Sequence, residues 1–316
     1  MIVAVVVLVI LVITLTPSGN NPSPPFSFYF VIERRWLADW ILNICLFVPF
    51  GLALGWNSRS PLKAILAGLL LSTGVELAQT IIPARDPSLS DIVFNTVGAG
   101  LGAMIARRPR LWLAPSATGS VVLTTISIVA AALLMTATGL LLWPVPSSPR
   151  EKLPIAVMQV DDDLLLRYPS RGSALGLDEP EYWAHAAFRV GSTNKMPVSV
   201  SRESARWHIA IGVNRVTLGP TVGQGWTLLA YPDAIARRWG DVVSGVWMSV
   251  LFLPIGFWAR GRLRPIALVA GVALLALIPR LTGIVGTTST EWVGAAIGLS
   301  IGALLAWSAG PAAWIR

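Results

Sequence analysis

Cysteine, histidine and charged residues are all scarce in this chain of 316 residues. One cysteine, Cys45, excludes an internal disulfide and any metal centre built on several cysteines. Charged residues make up 13% of the chain, against roughly 25% in an average soluble domain. A chain with so few charged residues cannot cover the surface of a water-soluble globular protein of this size, and hydrophobic residues make up 54% of it. The composition therefore predicts an integral membrane protein.

The net charge of +8 comes from cations grouped in short loops between apolar runs. No acidic residue lies within these groups, and the positive-inside rule places such loops in the cytoplasm. Membrane topology thus explains the charge, and we expect no nucleic-acid partner. The cations are Arg59 and Lys63, then Arg107, Arg108 and Arg110, then Arg260, Arg262 and Arg264, and finally Arg316.

Apolar runs of membrane-spanning length predict about eight transmembrane helices. Threading them alternately through the bilayer places every cationic loop and both termini in the cytoplasm. The first run lacks a charged leading region and a small-residue cleavage site, so we interpret it as a retained span. The runs cover residues 1–16, 36–55, 62–82, 91–106, 117–143, 242–258, 265–285 and 291–309.

The same threading places residues 144–241 outside the cell as a small β-rich, sandwich-like domain. It separates a five-span domain, 1–143, from a three-span domain, 242–316, in a protein that is mainly α-helical. Short β-prone runs are bounded by Gly, Pro, Asn and Asp residues. The predicted strands are 155–160, 185–190, 198–201, 207–213 and 226–231.

Potential metal ligands in this segment lack the spacing of a binding site. The run Asp161, Asp162 and Asp163 is not followed by the glycine and glutamate of an EF-hand loop, so it is interpreted as a solvated turn. His185 and His208 have no further ligand nearby in the sequence, which favours half-buried strand positions. We predict no metal site.

Polar residues inside the second to fourth spans are the most informative feature, because such positions are expensive in a bilayer. Two pairs, at i,i+3 and i,i+4, each share one helix face, and a short connection brings the two helices into a hairpin. We expect a polar pocket in the outward half of the membrane. Its candidate residues are Asn43, Glu76, Gln79, Arg85, Asp91 and Asn95.

A structural role competes with a functional one at each position. The three amides could serve only as interhelical hydrogen bonds. Arg85 and Asp91 could form a salt bridge, and Asp91 also suits a helix N-terminus. At Glu76 a functional role is favoured, since a carboxyl group in a membrane span must be protonated, paired or hydrated.

These residues lie in motifs that resemble the VanZ-like membrane family. The motifs are Asn43-Ile-Cys-Leu-Phe-Val-Pro-Phe-Gly51, Glu76-x-x-Gln79, Arg85 six residues before Asp91, and Asn95-Thr-Val-Gly98. The resemblance covers about residues 36–108 and departs at Ser88, where the family often carries an acidic residue. It implies a link to teicoplanin-type glycopeptide resistance, without naming a reaction.

A second, degenerate copy of this region is predicted at the carboxyl end. Leu251-Phe-Leu-Pro-Ile-Gly256 resembles Leu46-Phe-Val-Pro-Phe-Gly51, and Glu291 corresponds to Asp91. The polar residues are mostly lost, since Met248 replaces Asn43 and Ala295 replaces Asn95. We expect Glu291 to pair with Arg280.

Three classes of function follow from this sequence. An envelope enzyme or binding protein would use Glu76 as an acid, base or cation ligand, and Arg85 to hold an anionic group of a lipid-linked or glycan precursor. A structural or sensory protein would present the external domain to the cell wall. A transporter is disfavoured because residues 51–56 and 66–71 offer almost no polar route. No nucleophile constellation, phosphate loop or dinucleotide fingerprint identifies a cofactor, so the enzyme question stays open.

Overall fold

The computed structural model of the chain divides into two compact units, Met1–Leu113 and Ala114–Arg316. The boundary lies before the fifth predicted span, so that this span belongs to the second unit and not to the predicted domain 1–143. The residues that the structure describes are 1–17, 21, 25–28, 36–58, 60–145, 156–160, 163–177, 179–184, 198–211, 214–229 and 239–308.

The described part of the first unit is helical. Pro61 occupies the first turn of one helix, where its missing N–H costs nothing, and Ser88 caps another by accepting from the Asp91 N–H at 3.3 Å. The helices are α1 (Ile2–Leu15), α2 (Trp36–Ser58), α3 (Pro61–Gln79), α4 (Leu89–Ala106) and the short α5 (Pro109–Leu113).

Helices α2 and α4 pack backbone to backbone through glycine. A Cβ atom at Gly98 would overlap the carbonyl oxygen of Ile44, and one at Gly102 would overlap that of Val48. Gly51 approaches the Ala99 carbonyl in the same way from the opposite helix. Small residues permit this close approach between membrane helices. The contact fixes α2 beside the start of α4, where the candidate residues lie.

The described part of the second unit contains four long helices. They are α6 (Ala117–Leu141), α7 (Gly240–Trp258), α8 (Leu263–Thr282) and α9 (Ser289–Ser308). Ser116 caps α6 by accepting from the Gly119 N–H at 3.1 Å. Glycine again brings two helices together, since a Cβ at Gly298 of α9 would overlap the Ser249 carbonyl of α7.

The described residues between α6 and α7 in the sequence form two three-stranded antiparallel sheets. The first has the order β1 (Ala156–Val160), β2 (Asp163–Arg167), β3 (Glu181–Ala184), and the second has the order β4 (Val198–Glu203), β5 (Arg206–Ile211), β6 (Asn214–Leu218). Leu166, Tyr168, Tyr182 and Trp207 belong to one core shared by both sheets. Burial raises the pKa of both tyrosines well above the usual value.

The predicted fold class, a mainly α-helical membrane protein with a small β-rich region, is confirmed, with one difference in the helix count. Among the described helices, seven are long and apolar enough to cross a bilayer. The first predicted span forms α1, which has 14 residues and is shorter than the roughly 20 that a span needs.

The strand predictions have mixed outcomes. Strands occur at 156–160, 198–203 and 206–211, close to three predicted runs, while β2, β3 and β6 were not predicted. The predicted strand at 226–231 is wrong in its described part, because a 3₁₀ helix, Val222–Leu228, covers it. Its cause is a capping box in which the Thr221 N–H donates to Gln224 Oε1 at 2.9 Å. The run 185–190, His185, Asp161 and Asp162 lie outside the described residues; His208 is half-buried on β5, as predicted.

Candidate functional site

The hairpin of α3 and α4 holds a buried carboxylate against the start of α4. Glu76 is 2% exposed, and its Oε2 accepts a hydrogen bond from the Ser88 N–H at 3.0 Å. The first N–H groups of a helix and its N-cap lack intrahelical partners, so a carboxylate satisfies one of them here. Part of the role of Glu76 is thus to join α3 to the N-terminus of α4.

Asp91 lies next to this contact and receives a side chain from α2. Asn43 Nδ2 donates to Asp91 Oδ1 at 2.7 Å. The Ser88 hydroxyl, which accepts from the Asp91 N–H, lies 2.7 Å from the Ser90 hydroxyl. Ser88 therefore contacts both acidic residues. The structure brings Asn43, Glu76 and Asp91 together as the sequence predicts.

Asn95 extends the site one helical turn further along α4. Its Nδ2 donates to the Ser72 hydroxyl on α3 at 2.9 Å. Its Oδ1 is buried and has no hydrogen-bond partner among the described residues. Ser72 was not predicted, although it lies four residues before Glu76 and hence on the same helix face.

Gln79 and Arg85 donate hydrogen bonds to carbonyl groups at the C-terminal end of α1. Gln79 Nε2 donates to the Thr14 carbonyl oxygen at 3.0 Å. Arg85 donates through Nε to the Thr16 carbonyl at 3.0 Å and through Nη2 to the Ile13 carbonyl at 2.7 Å. Cations and donors are favoured at a helix C-terminus, where carbonyl groups lack partners. Within the described residues, Arg85 thus donates to α1 rather than to Asp91.

The remaining cluster is rich in hydrogen-bond acceptors. It combines the carboxylates of Glu76 and Asp91 with the unpaired carbonyl oxygen of Asn95. We call Asn43, Ser72, Glu76, Asp91 and Asn95 the acceptor cluster. Such a cluster suits a ligand that carries N–H or O–H groups and disfavours an anion. No group of three or more His, Cys, Asp or Glu residues in the described ranges forms a metal site.

Comparison with known families bears on the first unit. Residues 2–113 match the VanZ/LLP1 family model. The match ends where the first unit ends, at Leu113, and the predicted VanZ-like resemblance of the amino-terminal region is confirmed. No curated protein matches the chain. No solved structure matches it either. We call residues 2–113 the VanZ-like region.

Outside the VanZ-like region, Glu291 is another buried carboxylate. It is fully buried, and its Oε1 accepts from the Thr221 hydroxyl and from the Gly223 N–H at 2.8 Å. Its Oε2 accepts from the Thr288 N–H at 2.8 Å. The expected pairing of Glu291 with Arg280 is wrong, because hydroxyl and backbone N–H groups, and not Arg280, donate to the two carboxylate oxygens of Glu291. No sequence signal indicated that a segment 70 residues away would supply them.

Proposed function

We propose that this chain is a VanZ-like multi-pass protein of the plasma membrane that binds an envelope precursor at the acceptor cluster and so contributes to resistance to teicoplanin-type glycopeptides. The observation that supports it is the buried Oδ1 of Asn95, which has no hydrogen-bond partner among the described residues, on the same helix face as Asp91. A buried acceptor without a donor is costly in a membrane helix, and a ligand that brings donors removes this cost. Lipid-linked and glycan precursors are rich in hydroxyl and amide groups.

The distribution of charge supports an outward position for this cluster. The cationic loops that follow α2, α4 and α7 predict a cytoplasmic position for these loops, and alternate threading of the seven long helices then places the N-terminal end of α4 at the outer surface. Asp91 lies at that end, with Asn95 one turn deeper. Residues 144–241 are extracytoplasmic in the same arrangement. The site would thus be reached from the side on which glycopeptides and mature envelope precursors occur.

Two other functions make different demands on the protein. Transport would need polar groups that continue through the cytoplasmic half of the spans, where residues 51–56 and 66–71 are almost entirely apolar. A structural or sensory role would rest on the β sheets, with the helices only presenting them to the cell wall. In that case the acceptor cluster would matter for stability alone.

The test compares glycopeptide susceptibility in cells that carry wild type, Glu76→Gln, Asp91→Asn or Asn95→Ala at matched membrane abundance. The matched control is Thr96→Ala, because Thr96 is the next residue and its hydroxyl donates within its own helix, to the Ile92 carbonyl at 2.7 Å. We expect the three cluster variants to lose the wild-type effect and the control to keep it. Equal behaviour of all five proteins would refute the proposed site and favour the role of the β sheets.

A further inference from the structure

The glycine contacts that hold α2 against α4 have counterparts between α7 and α9. In the first unit Gly98 of α4 meets the carbonyl group of Ile44 on α2, and Gly102 meets that of Val48. From α4 to α9, and again from α2 to α7, the contacts are displaced by one constant number of residues. The contacts of the second unit are Gly298 with Ser249 and Gly302 with Leu253.

The two hydrophobic cores extend this correspondence to the remaining helices. A Cβ at Gly68 of α3 would meet Ala99 of α4, and one at Gly271 of α8 would meet Leu299 of α9. Core residues also recur at equal spacings on the first helix of each unit, so α1 corresponds to the second half of α6. The corresponding core residues are Val3 and Ile128, Ile10 and Met135, and Phe47 and Phe252.

In both units the connection between the first and second helices runs beside the start of the fourth helix. In the first unit the Ser27 N–H donates to the Pro87 carbonyl at 3.1 Å, and the Leu89 N–H donates to the Ser27 carbonyl at 3.0 Å. In the second unit the Val285 N–H donates to the Pro220 carbonyl at 2.9 Å, shortly before α9. The two β sheets belong to this connection, because they lie between α6 and α7 in the sequence.

The sheets are attached where the chain leaves α6 and at the turn between α8 and α9. The Tyr168 hydroxyl donates to the Leu142 carbonyl at 3.3 Å, and the Ala205 N–H donates to the Gly283 carbonyl at 3.2 Å. A Cβ at Gly283 would lie 3.4 Å from the ring of Trp143. The chain therefore leaves α6 beside the same turn to which it returns, and an inserted domain has such neighbouring ends.

Glu291 binds the segment by which the chain returns from the sheets. Its Oε1 accepts from the Thr221 hydroxyl and from the Gly223 N–H, and a Cβ at Gly223 would overlap the carboxylate. In the first unit the corresponding Asp91 accepts from a side-chain amide of the second helix. Met248 replaces that amide in the second unit and cannot donate, so the connection supplies the donors instead.

We propose that the second unit is a second VanZ-type module, that the β sheets are inserted into the connection between its first and second helices, and that Glu291 fastens this insertion to the helices. The inference concerns residues 114–308 and is independent of the function proposed for the acceptor cluster. The β sheets then form a fixed part of the second module, and not a separate domain between two groups of helices.

Amide hydrogen exchange of the full chain in lipid nanodiscs tests the role of Glu291. Thr221→Val removes one donor to a buried carboxylate, so exchange in residues 222–228 should become about tenfold faster or more. Thr221→Ser keeps the hydroxyl and should exchange like wild type. The matched control is Thr227→Val, which should have a smaller effect, because the Thr227 hydroxyl donates to the neutral Gln224 carbonyl at 2.8 Å. Unchanged exchange in Thr221→Val would overturn the fastening by Glu291.

Replacing residues 146–218 of the full chain by a short Gly/Ser linker tests the insertion. The first unit packs four helices in the corresponding way, and its described residues contain no sheet, so the second module should not need one. We expect wild-type membrane abundance and wild-type slow exchange in α7 and α9. A second variant that also lacks residues 219–228 should lose protection at the start of α9, where Glu291 has lost its donors.

The two arms have separate outcomes. Failure of the first linker variant to accumulate in the membrane, or fast exchange throughout its α7 and α9, would overturn the second module with an inserted β region. Equal protection at the start of α9 in the two linker variants would overturn the role of residues 221–223. Neither result bears on glycopeptide susceptibility, which tests the acceptor cluster alone.

Discussion

Replacing Gly98 by alanine tests the helix contact on which the acceptor cluster depends. A Cβ at this position would lie 3.0 Å from both the carbonyl carbon and the Cα of Ile44. Carbon atoms in comfortable contact lie about 3.5–4.0 Å apart, so α2 and α4 would have to separate by roughly 0.5–1 Å. The obstacle is backbone, which cannot rotate away as a side chain can.

Overpacking of this kind typically costs about 1–3 kcal/mol, and alanine recovers up to about 1 kcal/mol of helix propensity relative to glycine. Gly74 on α3 is the matched control, because a Cβ there would meet nothing within 4 Å. Gly74→Ala has the same gain in propensity without the clash. The difference between the two variants should therefore be about 1–3 kcal/mol.

Thermal unfolding of both variants in one detergent measures this difference, and glycopeptide susceptibility reports its effect on the site. Separation of α2 from α4 should lengthen the 2.7 Å hydrogen bond from Asn43 to Asp91, so Gly98→Ala should also lose the resistance effect. If Gly98→Ala were as stable as Gly74→Ala, the close contact between α2 and α4 would be incorrect.

Two further predictions concern other parts of the chain. Arg85→Ala should destabilise the first unit by about 1–3 kcal/mol, because the carbonyl groups of Ile13 and Thr16 lose their hydrogen-bond donor. Amide hydrogen exchange at the end of α1 should become faster, and unchanged exchange would contradict this role of Arg85. Burial raises the pKa of Tyr168 and Tyr182 above the usual value of 10.0, so the unfolded chain loses these protons first and stability should fall as pH rises above about 10. Denaturation measured between about pH 9 and 11 should show a smaller loss of stability for Tyr168→Phe than for wild type. An equal loss of stability in the two proteins would argue against a raised pKa of Tyr168.

Contacts between side chains on regular helices could be predicted from the sequence, because helical periodicity fixes which residues share a face. Glu76 and Asp91 were brought together by the short connection between α3 and α4, and Asn43 by its placement on α2. Backbone acceptors leave no such signal. The bonds from Gln79 and Arg85 to carbonyl groups of α1 could therefore not be read from residue types.

The β region shows a different limit. Alternating apolar residues indicated β5, but β6 has few buried side chains and β3 has only four residues, so neither gives a clear periodic pattern. In the segment 222–228 a local capping box and tertiary burial of Val222 and Trp226 decide the conformation, although the apolar residues suggested a strand. Tertiary contacts overrode local propensity there.

The acidic side chains in the first turns of α4 and α9, Asp91 and Glu291, differ in length by one methylene group. The longer side chain of Glu291 reaches back to the N–H of its own N-cap residue, Thr288, so the start of α9 is completed within four consecutive residues. The shorter Asp91 leaves that task at Ser88 to Glu76, from the preceding helix. The N-cap N–H of α9 therefore needs no other helix for its acceptor, whereas the N-cap N–H of α4 finds its acceptor only once α3 is in place. The order of synthesis meets this requirement, because α3 always precedes α4.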